Sequence, residues 1–187
     1  MLQTPVFHAR QLTSEQDIIQ HEQMLFQAFG AKESPSWITR HYPSSGPNRI
    51  KAPIDYKSQI IGGVFDSSQT LQSTMAVNTR PDIQCQLHMI GFDKDALPQG
   101  AWVEVLNFVA LNAASRQHLH ALWRDALYLI QNHVLHVDYL YASCARPLLR
   151  YYTRLGCEHV SQHDITQTSG TFCLLRYRLA DFASKIT

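Results

Sequence analysis

Glu104 is the lone acidic residue in Ala101 to Leu111, a mostly apolar, β-prone run whose one other strongly polar member is Asn107. Burial in a dry cleft lifts a carboxyl pKa towards values at which a general base works near neutral pH. Glu104 is therefore a candidate base. Its plainer readings are an alternation residue facing solvent or a buried ion-pair partner. Arg146, Arg150 and Arg154 stand at i, i+4 and i+8, which makes one basic stripe on a helix. Such a stripe can meet phosphates or an acidic protein, although a solvated helix face is the commoner explanation. Cys144 follows a short apolar strand with no defined histidine partner, so it reads as a buried structural thiol and not a nucleophile. His118 with His120 and His133 with His136 are close pairs, but neither has a third ligand at matching spacing. Zinc wants three or four ligands, so surface histidines and no metal site are expected.

The elements that must position these groups follow from pattern and punctuation. Thr13-Ser14-Glu15-Gln16-Asp17 has a capping hydroxyl followed three residues later by an acid or amide, which opens a helix. Ile18, Glu22, Leu25, Phe26 and Phe29 fall near one face, and Gly30 is a plausible stop. Residues 31–57 have no period and many Pro, Ser and Gly; this reads as a long, substrate-facing loop carrying Trp37 and Tyr42. Ser58 to Phe65 and Thr70 to Val77 form a hairpin about the turn Asp66-Ser67-Ser68. Gln84 to Phe92 reads as a further strand, and 91–100 as a loop. Ala101 to Leu111 suits a strand buried on both faces. The clearest helix spans 113–133, with Leu119, Leu122, Trp123, Ala126, Leu127 and Ile130 on one face. A strand over Val137 to Ala142, a helix over Ala145 to Leu155 ended by Gly156, and strands at Cys157 to Val160 and Thr171 to Leu179 complete the chain. Strands alternating with helices predict a βαβ unit with a parallel pair at the centre of a mixed sheet.

At 187 residues, 45% of them hydrophobic, the chain suits a single α/β (α+β) domain over 1–187. A net charge of +1 gives no general argument for nucleic acid. No stretch reaches the ~18 apolar residues needed to cross a bilayer. Met1 to Arg10 lacks the basic-then-apolar order of a signal peptide. Cys85, Cys144, Cys157 and Cys173 contain no CxxC and are expected as reduced thiols in the cytoplasm. A monomer or a homodimer fits equally well.

One segment adds a family resemblance. Tyr151-Tyr152-Thr153-Arg154-Leu155-Gly156-Cys157-Glu158 resembles the GNAT signature in which a helix ends in Tyr-x-x-Leu-Gly and enters a strand. The order and length of the elements over roughly 55–180 also match that superfamily, whose mixed central sheet is flanked by helices. Where GNAT enzymes carry an Arg/Gln-x-x-Gly-x-Gly/Ala turn for the coenzyme A pyrophosphate, this chain has Arg116-Gln117-His118-Leu119-His120-Ala121. Arginine and alanine stand at matching positions, and larger side chains replace both glycines. Acyl-homoserine-lactone synthases and long-chain N-acyl amino acid synthases are a branch that also lacks those glycines. The chain is similar to them in its N-terminal helix, in a loop carrying Trp37, and in Val103-Glu104-Val105-Leu106-Asn107-Phe108-Val109, which resembles a Glu-x-x-Arg-Phe strand with Asn107 in place of arginine.

The resemblance implies an N-acyltransferase that moves an acyl group to an amine of a small molecule. The co-substrate would be acyl-CoA (acetyl-CoA or longer) or an acyl carrier protein, with no permanently bound cofactor. Glu104 would be the base, and Tyr152, four residues before the glycine, the acid for the departing thiolate. Tyr152 as a core tyrosine is the competing reading. Phe108, Val109, Leu111, Arg116, Gln117 and Ala121 would hold the donor. A non-catalytic GNAT-like domain that binds a ligand or partner is the alternative from a different class.

Overall fold

The computed structural model describes residues 8–30, 37–93, 95, 97, 101–111, 128, 137–165 and 170–181. The helix expected over 113–133 lies outside them apart from Tyr128, and so do Arg116, Gln117, Ala121 and the two histidine pairs. The strands are β1 (His8–Gln11), β2 (Ser44–Gly46), β3 (Arg49–Ile50), β4 (Gln59–Phe65), β5 (Leu71–Asn78), β6 (Trp102–Ala110), β7 (Tyr139–Ala145), β8 (Glu158–Ile165) and β9 (Gly170–Arg178). The described helices are α1 (Glu15–Leu25), α2 (Trp37–His41), α3 (Gln86–Ile90) and α4 (Leu149–Arg154).

Seven strands form one sheet in the order β1-β4-β5-β6-β7-β9-β8. Every neighbouring pair is antiparallel except β6 and β7, which run parallel. The mixed sheet with a central parallel pair is the one its strand order predicts. Both faces are covered, as strands apolar on both sides require. Leu25, Trp37, Tyr42, Leu87, Leu106 and Tyr141 belong to the core on the face of α1, α2 and α3. Val103, Val105, Leu140, Cys144 and Leu175 form the core on the other face, where Leu149 and Tyr152 of α4 pack.

Local chemistry explains the ends of α1. The Ser14 hydroxyl accepts the Asp17 amide at 3.1 Å, and Asp17 reaches back to the Ser14 amide at 3.4 Å, so two orphan donors are satisfied reciprocally. Arg10 on β1 forks onto the same Asp17 carboxylate at 2.6 and 2.7 Å, which holds that carboxyl well below the usual range.

Two expectations need correction. Gln84 to Phe92 is not a strand, because α3 occupies Gln86–Ile90 and closes on Gly91 at φ 108°, a left-handed cap suited to glycine. A Cβ on Gly91 would stand 2.6 Å from His163 Nε2, so β8 packs directly on that turn. Residues 37–57, the described part of the expected 31–57 loop, are also not without regular structure. They carry α2, the β2–β3 hairpin and the start of a 3-10 turn at Tyr56–Ser58, and Trp37 and Tyr42 are buried. Arg49 binds the buried Glu22 of α1 at 2.5 and 2.8 Å, and Tyr56 donates to the same carboxylate at 2.5 Å, tying this segment to the first helix.

Candidate active site

The central parallel pair is short. β6 and β7 are in register only from Trp102↔Tyr139 to Val105↔Ala142, although β6 continues to Ala110 and β7 to Ala145. Past that point each strand stays bonded to its outer neighbour, β6 to β5 and β7 to β9. Their inner edges part. An extra residue in β6 marks the place: Ala76 faces Asn107 and Val77 faces Val105, so Leu106 bulges. The bulge also shifts the alternation, since Leu106 and Val109 lie on the α1 face while Phe108 lies on the other.

A cavity of about 320 Å³ occupies this gap. Tyr42, Trp37 and Leu106 line it from one face and Cys144, Phe108 and Tyr152 from the other. One cavity can be lined from both faces only where a sheet opens. Among the described residues that line it, none carries an Asp, Glu, Lys, Arg or His side chain. The walls are apolar apart from Tyr42, Gln86, Asn107, Ser143 and Tyr152. Tyr42 donates to Gln86 Oε1 at 2.8 Å and lies 3.5 Å from the Leu106 carbonyl, while Gln86 Nε2 donates to that carbonyl at 3.0 Å.

Tyr152 lines the cavity from α4, and burial pushes its phenol up, so it remains protonated across the physiological range. Cys144 lines it too, but burial raises its thiol to about 12, which leaves little thiolate. Glu104 is fully buried one layer away and does not line the cavity. Its carboxylate accepts the Gln86 and Leu87 amides at 3.0 and 2.7 Å, together with Asn78 Nδ2 at 3.0 Å. Burial raises its pKa, and those donors oppose the rise. Glu104 thus caps the first turn of α3 and sets Gln86 in the cavity wall. Of the three residues in and after β6 that were expected to hold the donor, Phe108 lines the cavity, Val109 is buried in the core, and Leu111 lies beyond the strand end on a separate groove with Gln20 and Gln72. Arg146, Arg150 and Arg154 are all exposed, beside exposed Leu148 and Tyr151. The first of them stands in a 3-10 turn before α4, because Pro147 opens the helix. Sequence reasoning placed Tyr42 on a substrate-facing segment but missed Gln86, which lay in a run read as a strand and is held at β6 by the Glu104 carboxylate at the start of α3.

No family model matches the sequence, and no curated protein matches it. Solved structures do. MesI, a CoA-dependent acyl-homoserine lactone synthase, superposes with a TM-score of 0.68 at 9% identity, over 96% of this chain and 93% of that one. FeeM, an N-acyl amino acid synthase from uncultured soil microbes, gives 0.60 at 16% identity, over 99% and 96%. NAA60 of Arabidopsis thaliana, solved with acetyl-CoA, gives 0.60 at 12%, over 94% and 99%. The chain has the GNAT fold. Within it, the helix carrying Tyr152, the turn at Gly156 and the strand that follows have the order the resemblance of residues 151–158 implied. The fold's solved representatives include acyl-homoserine lactone synthases, an N-acyl amino acid synthase and a protein holding acetyl-CoA. Among the described residues no group of three metal-ligating side chains occurs, and no helix is long and apolar enough to cross a membrane.

Proposed function

We propose that the chain is an N-acyltransferase that joins an acyl group, delivered as a thioester, to the amine of a small molecule. The observation that carries this reading is the uncharged cavity threading the β6–β7 gap with Tyr152 in its wall. A thioester arm laid between the parted strands would run along inner edges of β6 and β7 that no longer pair with each other. The two faces of the sheet give the two substrates separate approaches to one carbonyl.

In the reaction the amine nitrogen attacks the thioester carbon, the oxyanion collapses, and the C–S bond breaks as the C–N bond forms. One proton leaves nitrogen and one reaches sulfur. The proton lost by nitrogen is the one the sulfur gains, and Tyr152 steadies the departing sulfur by donating a hydrogen bond, its raised pKa keeping that hydroxyl protonated. Glu104, closed in by its donors, is assigned to positioning: it fixes α3 and through it Gln86. Arg150 and Arg154, with Leu148 and Tyr151, give the α4 face a basic and apolar rim suited to the phosphates of acyl-CoA or to an acidic carrier protein. The seclusion of Glu104 favours one other reading, a ligand-binding domain without turnover.

Tyr152→Phe separates them. Acyl transfer to an amine panel, using acetyl-CoA and a long-chain acyl-CoA, should fall about 10²-fold in kcat with KM little changed. Turnover equal to wild type would remove Tyr152 from the chemistry. Ligand binding by both proteins with no turnover by either would establish the binding domain.

A further inference from the structure

An alkylamine near neutral pH arrives mostly as its ammonium, and a site that uses it must supply a counter-charge or a group to take the surplus proton. Among the described residues that line the cavity, the titratable side chains are Tyr42, Cys144 and Tyr152. Burial drives the Cys144 thiol up to about 12 and raises both phenols as well, so all three stand neutral and already protonated. Glu104 is engaged one layer away, accepting from Asn78 Nδ2 and from the Gln86 and Leu87 amides, and is not part of the lining. His41 stacks on the Trp37 ring with centroids 4.6 Å apart, but it is exposed and does not line the cavity either.

What this wall does offer is aromatic surface. Tyr42 meets Phe29 and Trp37 edge to face at 6.5 and 6.2 Å, and Phe172 joins them in the lining. An ammonium seated among these groups would be a buried charge without an ionic partner, which is costly. Its acceptance on the ring faces is the rival arrangement, and it predicts the opposite pH behaviour. A free base needs neither. Its nitrogen attacks the thioester carbon, the C–N bond forms as the C–S bond breaks, and the proton that nitrogen gives up is the one the departing sulfur takes. The step balances with no ionised side chain. We propose that the acceptor is a weakly basic amine on an aromatic body (an arylamine, an alkoxyamine or a hydrazide), taken up and used as the free base. The proposal rests on the acyltransferase reading and adds the class of its second substrate.

The test uses the purified full chain with acetyl-CoA and with a long-chain acyl-CoA. Two acceptors of nearly one shape are compared, O-benzylhydroxylamine and 2-phenylethylamine, in which an oxygen replaces a methylene and makes the nitrogen a weaker base. Methoxyamine, a weak base without the ring, is the third. Values of kcat/KM are taken across neutral and mildly alkaline pH after subtracting the reaction without protein. An amine as basic as a lysine side chain, pKa about 10.4, is neutral to less than about one part in 10³ at pH 7, so O-benzylhydroxylamine should lead 2-phenylethylamine by ~100-fold or more there. The value for 2-phenylethylamine should climb about tenfold per pH unit while that for O-benzylhydroxylamine stays level. Methoxyamine should be at least ~10-fold poorer than O-benzylhydroxylamine, because it buries no ring. Equal values for the two matched amines at pH 7, or a level profile for 2-phenylethylamine, would show that the ammonium is accepted; either overturns the proposal and leaves acyl transfer standing. So does methoxyamine matching O-benzylhydroxylamine, or an acid-side fall shared by every acceptor, which would report a base on the protein. No acylation of any of the three by either donor overturns both readings together.

Discussion

His21 and Glu104 are fully buried groups whose titrations pull stability in opposite directions. His21 Nδ1 lies 2.9 Å from Thr74 Oγ1, which itself donates to the Gly62 carbonyl at 3.0 Å. The ring therefore gives its proton at Nδ1 and keeps Nε2 bare and unpartnered. Burial lowers its pKa from 6.5 to about 4, with Glu22 opposing. The unfolded chain then binds more protons than the native one between those values, so His21 costs stability as pH falls from 6.5 towards 4, by about 3 kcal/mol in full. Glu104, raised by burial, has the reverse sign: its contribution is present below the ordinary carboxylate pKa and is lost as pH rises. A comparison of wild type with His21→Gln removes that opposing slope, because both proteins keep Glu104. Urea unfolding at pH 7 and pH 4.5 should find wild type losing more stability than the variant on acidification. An equal loss would mean the ring is protonated in the fold.

At the scale of elements, the tie between α1 and the β2–β3 hairpin lends itself to measurement. The Tyr56 hydroxyl donates to a buried, charged Glu22, and hydrogen bonds to charged groups contribute about 1.5–3 kcal/mol. Tyr56→Phe should therefore lower the unfolding temperature by several degrees while leaving the Arg49–Glu22 pair in place. An unchanged midpoint would show that Arg49 alone holds the segment. These elements also mark where the sequence stops being legible. α1 could be read from Ser14 and Asp17 because its capping partners are three residues apart. The 4-residue β1 and the β2–β3 hairpin are too short for any period to register. Gln84 to Phe92 misleads for another reason. Its run of apolar and polar residues fits a strand as well as a helix, and what decides is the Glu104 carboxylate, 17 and 18 residues away, binding the first amides of α3.

For the whole molecule, the mixed sheet and its central parallel pair were legible because buried strands and turn residues announce themselves locally. The candidate site was only partly so. Tyr152 could be singled out by its spacing from Gly156, and Glu104 by its isolation among apolar residues. That Glu104 would be held away from the cavity depends on Asn78 and the first amides of α3, and the one-residue bulge at Leu106 changes the alternation of the residues that follow it. No side-chain pattern records an extra residue in a ladder. The uncharged interior and the exposed arginines of α4 likewise emerge only when the two faces are brought together.

The short pairing of β6 with β7 has a consequence for how the protein comes apart. Four registered positions join two antiparallel leaves, one built from residues 8–110 and the other from 137–178. Side-chain cores cross the seam on both faces, but each leaf is cross-linked by ladder hydrogen bonds along nearly its full strand length, so the unpaired inner edges are where amides should open most readily. Native-state hydrogen exchange should report two protection classes: amides of β4 and β5 near the global limit, and inner-edge amides of β6 beyond Val105 exchanging through a lower-energy opening. A ligand seated in the gap would bridge the leaves and merge the two classes. A thioester arm bound there, as proposed, would stand in for the missing rung of the sheet and couple the two leaves.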